Sequence, residues 1–207
     1  MWLGGQKDGF SPAPLEQAGA GAARAGALLI HYRAHFVGKL APRAAQIQRD
    51  FSGDREELTL SYQTVGTVRN PLGPTVSIYE DLRAHQDSHR RAELEARSCL
   101  SGPHKDDLAA WIDGQPARQF ASQGQTRTAA LSLKLAEREL FEDDTGQWPV
   151  LLLDDVLSEL DARRQDFVLD RITGGQVFIT SCEAPAGEIS RGKILHIHQG
   201  ALVDSPN

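Results

Sequence analysis

Two adjacent carboxylates, Asp154 and Asp155, close the apolar run Val150–Leu153 in the segment PVLLLDDVLSELD. An apolar strand that ends in acids carries negative charge to the carboxyl edge of a sheet, where open α/β sheets bind ligands. From such an edge one carboxylate can hold Mg2+ through its water shell. The other can polarise a water that attacks a phosphate. The bland alternative is a polar strand terminus. Thr180 closes the next apolar run, QVFIT at 176–180. If the two strands are sequential neighbours, its hydroxyl is a candidate γ-phosphate sensor; otherwise it satisfies backbone at a strand end. Between them lies SELD at 158–161. There Ser158 suits the N-cap of a helix with Asp161 at its third position, an acidic variant of the capping box. The functional alternative is a contact loop beside a nucleotide. Upstream, ASQGQTR at 121–127 stands before a long helix. Backbone N–H groups at a helix N-terminus, with a serine hydroxyl, make an anion site. An N-cap accounts for Ser122 but not for the run Gln123, Gly124 and Gln125.

The elements that must position these residues are readable from periodicity. Residues 1–26 are rich in Gly, Ala and Pro and lack a clean period, so a poorly ordered segment or a badly formed helix start is expected. From Ala27 to about Arg49 the apolar residues Leu28, Leu29, Tyr32, Phe36, Leu40 and Ile47 recur at helical spacing, with Pro42 expected to kink or break the helix. Residues 57–63, ELTLSYQ, alternate as a strand does. Asn70–Pro74 reads as a turn and Val76–Arg97 as a charged helix. Composition changes near Cys99. Asp113-Gly114 between two short strand-like runs signals a hairpin, and Gln123–Phe141 is a strong amphipathic helix. Val150–Leu153 and Gln176–Thr180 read as buried strands flanking a helix over Glu159–Ile172. Ile194–Ile197 and Ala201–Val203 read as a closing hairpin through Gln199-Gly200. Continuous apolar strands alternating with helices predict an α/β fold with a parallel sheet covered by helices.

At 207 residues, with 40% hydrophobic and 24% charged content, the chain has the composition of an ordinary soluble protein with a sizeable core. No run of 18 apolar residues is present, so no membrane partner is expected. Cys99 and Cys182 lack metal-site spacing and suit reduced thiols in a cytoplasmic protein. A net charge of -6 is not the footprint of a freestanding nucleic-acid binder. Acidic residues are absent, however, from Ala18 to Arg49, which holds Arg24, Arg33, Lys39, Arg43 and Arg49 beside His31 and His35. That stretch is either a solvated helix face or a surface for phosphate backbone or an acidic partner.

Taken together, the order and spacing of the four polar segments resemble an ABC-type ATPase: signature segment, helix, Walker B strand, D-loop, switch strand. The likeness is closer to the RecF family of DNA replication and repair proteins. It is carried by GPHKDDL at 102–108, SQGQTRTAALSLKLAE at 122–137, PVLLLDDVLSELDARR at 149–164 and QVFIT at 176–180. ALLIHYRAHFVGKLAP and EELTLSY resemble the family's helical arm and the strand after it. The resemblance implies a DNA-repair ATPase that binds single-stranded and gapped DNA and dimerises around ATP and Mg2+. It also implies loading of the recombination mediators RecO and RecR and a part in the SOS response. It places the Walker B carboxylate and Mg2+ contact at Asp154 and the catalytic carboxylate at Asp155, with slow hydrolysis from the shorter side chain. Thr180 takes the switch position. Ser122, Gln123, Gly124 and Gln125 form the signature that meets ATP held by a second protomer, and Asp161 lies at the dimer seam. His104 and Lys105 fall in a family motif that generally reads Arg where this chain has Lys, an exchange that alters any bidentate contact. The implied organisation is a helical arm over 27–98 and the C-terminal part of an ATPase head over 99–207.

A phosphate-cradling loop, GxxxxGK[ST], is not found in the sequence. GEISRGKI at 187–194 carries Ile194 where a hydroxyl would ligate magnesium and leads into a strand-like run, and Gly38-Lys39 lacks the upstream glycine. The expectation is therefore a piece of a longer protein that binds ATP weakly or not at all by itself. The competing expectations are an SMC-like or RecN-like ATPase, disfavoured because residues 27–97 hold no sustained heptads, and a non-enzymatic interaction fragment.

Overall fold

The computed structural model describes residues 12–182 and 192–203. The chain forms two compact units, Met1–Asp144 and Thr145–Asn207.

The first unit is built on one long helix, α1, over Pro12–Ser52. The segment expected to be poorly ordered over 1–26 is thus helical from Pro12, because a Gly/Ala-rich stretch with little period of its own is stabilised by packing. The helix also runs through Pro42, which costs one backbone hydrogen bond but does not end it. Its buried face is only partly the one drawn by the large apolar residues: Leu40 and Ile47 lie on it as expected, the other four do not. Leu28, Leu29, Tyr32 and Phe36 are exposed, whereas Ala23, Ala27, Ile30, Ala34, Leu40, Ala44, Ile47 and Phe51 are buried. Alanines on that stripe let neighbouring elements approach closely. Ala23, Ala27 and Ile30 join Val68, Ile78 and Leu82 in one core cluster, flanked by Tyr62, Val65 and Tyr79.

Strand β1, Leu58–Gln63, follows α1 with alternating burial at its start, as its pattern predicts. The turn at 70–74 is closed by the Gly73 N–H on the Asn70 carbonyl, 3.1 Å. Helix α2 spans Thr75–Ala96. Strand β2, Asp107–Ile112, pairs antiparallel with β1, and β3, Gln115–Pro116, with β2. The expected hairpin is present, with Asp113 at φ 52° and Gly114 at φ 76°, the doubly positive geometry of a two-residue turn. The composition shift near Cys99 does not divide this sheet: Leu58 on one side of it faces Ile112 on the other. After the short helix α3, Ala117–Phe120, comes α4, Gln123–Thr145. It runs antiparallel to α1. The Ser132 hydroxyl donates to Gln48 Oε1 at 2.9 Å, and Gln48 Nε2 donates to Glu56 Oε2 at 2.7 Å. Ser132 and Gln48 are both fully buried, so each satisfies a group that would be costly alone. Farther along, Lys39 pairs with Asp144 and Arg43 with Asp143, while Arg33 pairs with Asp106. Three cations of the acid-free stretch are therefore spent inside the unit.

The second unit holds the parallel pair. Strand β4, Leu151–Asp154, helix α5, Ala162–Arg171, and strand β5, Val177–Thr180, form one strand–helix–strand unit. Strand β4 is buried on one face only, and β5 is half-buried on the matching positions. Leu151 and Leu153 are covered, but Leu152 is 71% exposed and its register partner Phe178 50%. This corrects the reading of both as buried strands, since the apolar run is continuous while the cover among the described residues is one-sided. Strands β6, His196–His198, and β7, Ala201–Val203, make the expected hairpin.

Candidate functional site

Strand register decides the geometry of the carboxylate edge. Leu151 pairs with Val177 and, three residues on, Asp154 with Thr180, so both strands end together. The Thr180 hydroxyl donates to Asp154 Oδ1 at 2.5 Å. The Thr180 hydroxyl oxygen in turn accepts the Asp155 N–H at 3.0 Å, and the Thr180 carbonyl accepts it at 3.2 Å. One hydroxyl thus bridges the two acids. Asp155 lies at φ 53°, a left-handed conformation that Asp tolerates better than most residues but that still carries strain. That conformation breaks the extended backbone just past Asp154, where the strand ends. The Ser158 hydroxyl closes the turn, donating to the Asp155 carbonyl at 2.8 Å and to its Oδ1 at 2.7 Å.

Helix α5 begins later than expected. A 3-10 turn covers Leu157–Glu159, and Asp161, not Ser158, is the N-cap, its carboxylate accepting the Arg164 N–H at 3.0 Å. Ser158 is used instead by the Asp155 turn, and the later cap leaves a short loop between carboxylates and helix. Gln165 Nε2 pins that loop through the carbonyls of Leu157 and Leu160, at 2.7 and 3.1 Å. Strand β5 is reached through Gly174 and Gly175, at φ 98° and 66°. A Cβ on Gly175 would stand 2.6 Å from that of Trp148. Gly175→Ala combines a left-handed alanine with overpacking. It is expected to destabilise the chain by about 2 kcal/mol, seen as a lowered denaturant midpoint.

The segment before α4 belongs to the first unit. Ser122 Oγ accepts the Gln125 N–H at 3.2 Å, and Gln125 Oε1 accepts the Ser122 N–H at 2.9 Å. This is a reciprocal capping box, which accounts for Gln125 as well as Ser122. The S-x-x-Q spacing was its signal. Gln123 and Gly124 are exposed on the first turn, and the Gly124 carbonyl accepts the Thr128 hydroxyl at 2.8 Å. A cavity of about 170 Å³ adjoins this turn, lined by Ile112, Asp113, Gln115, Phe120, Ala121 and Gln125.

GPHKDDL acquires a structural account that periodicity did not offer. Its first half is a 3-10 turn, Pro103–Lys105, and His104 and Lys105 are exposed. The Asp106 side chain is only 2% exposed and accepts the Tyr62 hydroxyl from β1. Arg33 of α1 lies 3.9 Å from the same carboxylate and donates to the Pro103 carbonyl at 2.7 Å. Burial, with the carboxylate beside it, pushes ionisation of the Tyr62 hydroxyl well up, so it stays a donor. Pro103 approaches α1 at Gly26, where a Cβ would stand 3.2 Å from the proline ring.

Among the described residues no group of three or more His, Cys, Asp and Glu could hold a metal. The Asp154–Asp155 edge therefore lacks a full protein cage. It fits an ion such as Mg2+, which takes one or two carboxylates and completes its shell with water and substrate phosphates. The near-match at 187–194 falls mainly outside the described residues.

Comparison with known proteins follows the same lines. No family model matches the chain. It is 42% identical over 156 residues to the DNA replication and repair protein RecF of Symbiobacterium thermophilum, covering 75% of this chain and 42% of that one. It is 39% identical over 182 residues to RecF of Bacillus subtilis, covering 83% and 47%. Among solved structures it is similar to the recombination mediator protein RecF with ATP, of the RecFOR pathway. The TM-score is 0.78 at 32% identity, over 95% of this chain and 52% of that one. The chain spans a little under half the length of the curated relatives it matches.

Proposed function

The chain belongs to the RecF family of DNA replication and repair proteins, and from that premise we propose that it supplies the hydrolytic edge of an ATP-dependent DNA-repair ATPase. The observation that carries the reading is the Thr180 hydroxyl bridging Asp154 Oδ1 and the Asp155 N–H. In this reading Asp154 holds Mg2+ through its water shell, and the ion supplies charge neutralisation on the nucleotide phosphates. Asp155, held in a left-handed turn just past the strand, orients and deprotonates the attacking water. Thr180 senses the γ-phosphate, because a group there competes for the hydroxyl that links the acids. The exposed first turn of α4, Ser122 to Gln125, meets ATP held by a second protomer. Its spare N–H groups and the positive end of the helix favour phosphate. Asp161 lies at the seam of that dimer beside its capping role. DNA, a second protomer and the recombination mediators RecO and RecR are the partners of the whole protein in this reading.

The sequence given contains no GxxxxGK[ST], so the residues present supply carboxylates and a helix N-terminus but no lysine-bearing cradle for the β- and γ-phosphates. Weak ATP binding by the chain alone is the expected result, with Kd roughly millimolar or above, about 4 kcal/mol or less of binding free energy. A fluorescent-nucleotide titration of the purified chain tests it. Micromolar affinity would overturn the assignment of the phosphate cradle to residues other than these.

A further inference from the structure

We propose that Gln165 is a positioning residue for the hydrolytic carboxylate, acting through the loop between Asp155 and α5. The inference rests on the reading of Asp155 given above. Gln165 stands in the first turn of α5, just after the N-cap Asp161. Its Nε2 donates to two carbonyls of that loop, Leu157 at 2.7 Å and Leu160 at 3.1 Å. An amide nitrogen carries two protons, so both bonds are made at once. The Leu160 N–H closes the same turn on the Leu157 carbonyl at 3.1 Å. Leu157 and Leu160 bury their side chains while Gln165 holds their carbonyls, so both ends of the turn are fixed. Ser158 lies between the two held carbonyls. Its hydroxyl donates to the Asp155 carbonyl at 2.8 Å and to Asp155 Oδ1 at 2.7 Å.

An unbroken series of contacts therefore runs from the Gln165 amide, through the Leu157–Leu160 turn and Ser158, to the Asp155 carboxylate. Asp155 is held at φ 53°, a conformation that persists only where its surroundings over-determine it. Thr180 fixes its N–H, Ser158 fixes its carbonyl and side chain, and Gln165 keeps Ser158 in place. Without the amide the turn retains its buried leucines but loses both carbonyl clamps, and the carboxylate loses its fixed position. A displacement of about 1 Å at a reacting group can cost about 100-fold in rate. The role requires a donor, which separates it from packing. Methionine at this position fills similar space and donates nothing. Glutamate matches glutamine in length but, ionised, only accepts, and it would face two carbonyls. Lysine carries three donors on a long stem.

Two measurements test the role. In the full chain, amide hydrogen exchange at Leu160, whose N–H closes the held turn, reads the clamp without any nucleotide. Gln165→Met and Gln165→Glu should each speed that exchange roughly tenfold, and Gln165→Lys should leave it near the parent rate. The second measurement is ATP hydrolysis by this chain fused to the part of a RecF relative that it does not match. There Gln165→Met and Gln165→Glu should lower kcat by about tenfold to a hundredfold at unchanged KM, and Gln165→Lys should restore most of it. Ser158→Ala should cause the same loss, with nothing further lost when it is combined with Gln165→Met. Unchanged exchange or parent kcat in Gln165→Met, a change in KM alone, or equal losses in all three Gln165 variants would each overturn the role. Asp155→Asn in the same fusion tells the two levels apart. Full loss there beside parent kcat in Gln165→Met sinks this inference alone, whereas unchanged hydrolysis in Asp155→Asn sinks the hydrolytic reading and this one with it.

Discussion

Asp106→Ala is expected to destabilise the first unit by about 3 kcal/mol, the loss usual for removing one partner of a buried, hydrogen-bonded charge. The carboxylate is nearly inaccessible and gathers contacts from two elements far apart in sequence, the Tyr62 hydroxyl on β1 and Arg33 on α1. Its removal strands the half-buried tyrosine hydroxyl and frees the guanidinium that also holds the Pro103 carbonyl. Asp106→Asn keeps an acceptor and should cost about half as much, since only the charge-assisted share of the bond is lost. Tyr62→Phe should cost about 1 kcal/mol. Urea unfolding of the three variants and of the Tyr62–Asp106 double variant gives the coupling directly. A double variant that costs the sum of the two singles would show that the two groups do not act together. An Asp106→Ala variant within 0.5 kcal/mol of the parent, roughly the scatter of a surface substitution, would show that the motif owes its place to something other than this latch.

That latch also shows where sequence reading stopped. Strand β4, helix α5, strand β5 and the Asp113-Gly114 hairpin were legible because each signal is local: an apolar run, a 3.6-residue period, a turn dipeptide with positive φ. The pairing of Asp154 with Thr180 followed from two runs of like length ending in polar residues. Asp106 was not legible, because its partners lie 44 and 73 residues upstream at Tyr62 and Arg33. The face of α1 was read correctly at Leu40 and Ile47 but misjudged toward its N-terminal half for a related reason. Large apolar residues at helical spacing suggest the buried stripe, yet here Leu28, Leu29, Tyr32 and Phe36 are exposed and alanines pack against the core. Close helix approach rewards small residues, and hydrophobicity alone does not weigh that. At Asp161 and Ser158 the competition was between two good caps three residues apart. The strained Asp155 turn engaged Ser158, which left Asp161 to start the helix.

Asp155→Asn is expected to lower ATP hydrolysis by about 10²–10⁴-fold, the usual worth of a general base. The measurement uses a chimera in which residues 145–207 replace the matching stretch of a full-length RecF relative. The conformation of Asp155 is the reason to expect so large an effect. A non-glycine residue held at φ 53° carries strain that glycine would relieve, and strain of that kind persists where function requires the side chain. Asp155→Gly should therefore leave the melting temperature of the chimera unchanged or raised while hydrolysis falls as far as in Asp155→Asn. A polar strand terminus without a catalytic role would instead give unchanged hydrolysis in both variants. Thr180→Val separates positioning from chemistry. It deletes the hydroxyl shared by Asp154 and the Asp155 N–H but keeps the backbone bond from that N–H to the Thr180 carbonyl. The turn survives and the Asp154 carboxylate loses its link to the Asp155 backbone, so about a tenfold loss is expected, near the 1.4 kcal/mol of one hydrogen bond. If Thr180 acts by positioning Asp155, the loss it causes should vanish in an Asp155→Asn background. Two full, additive losses would mean that the hydroxyl serves the nucleotide independently of the acid beside it.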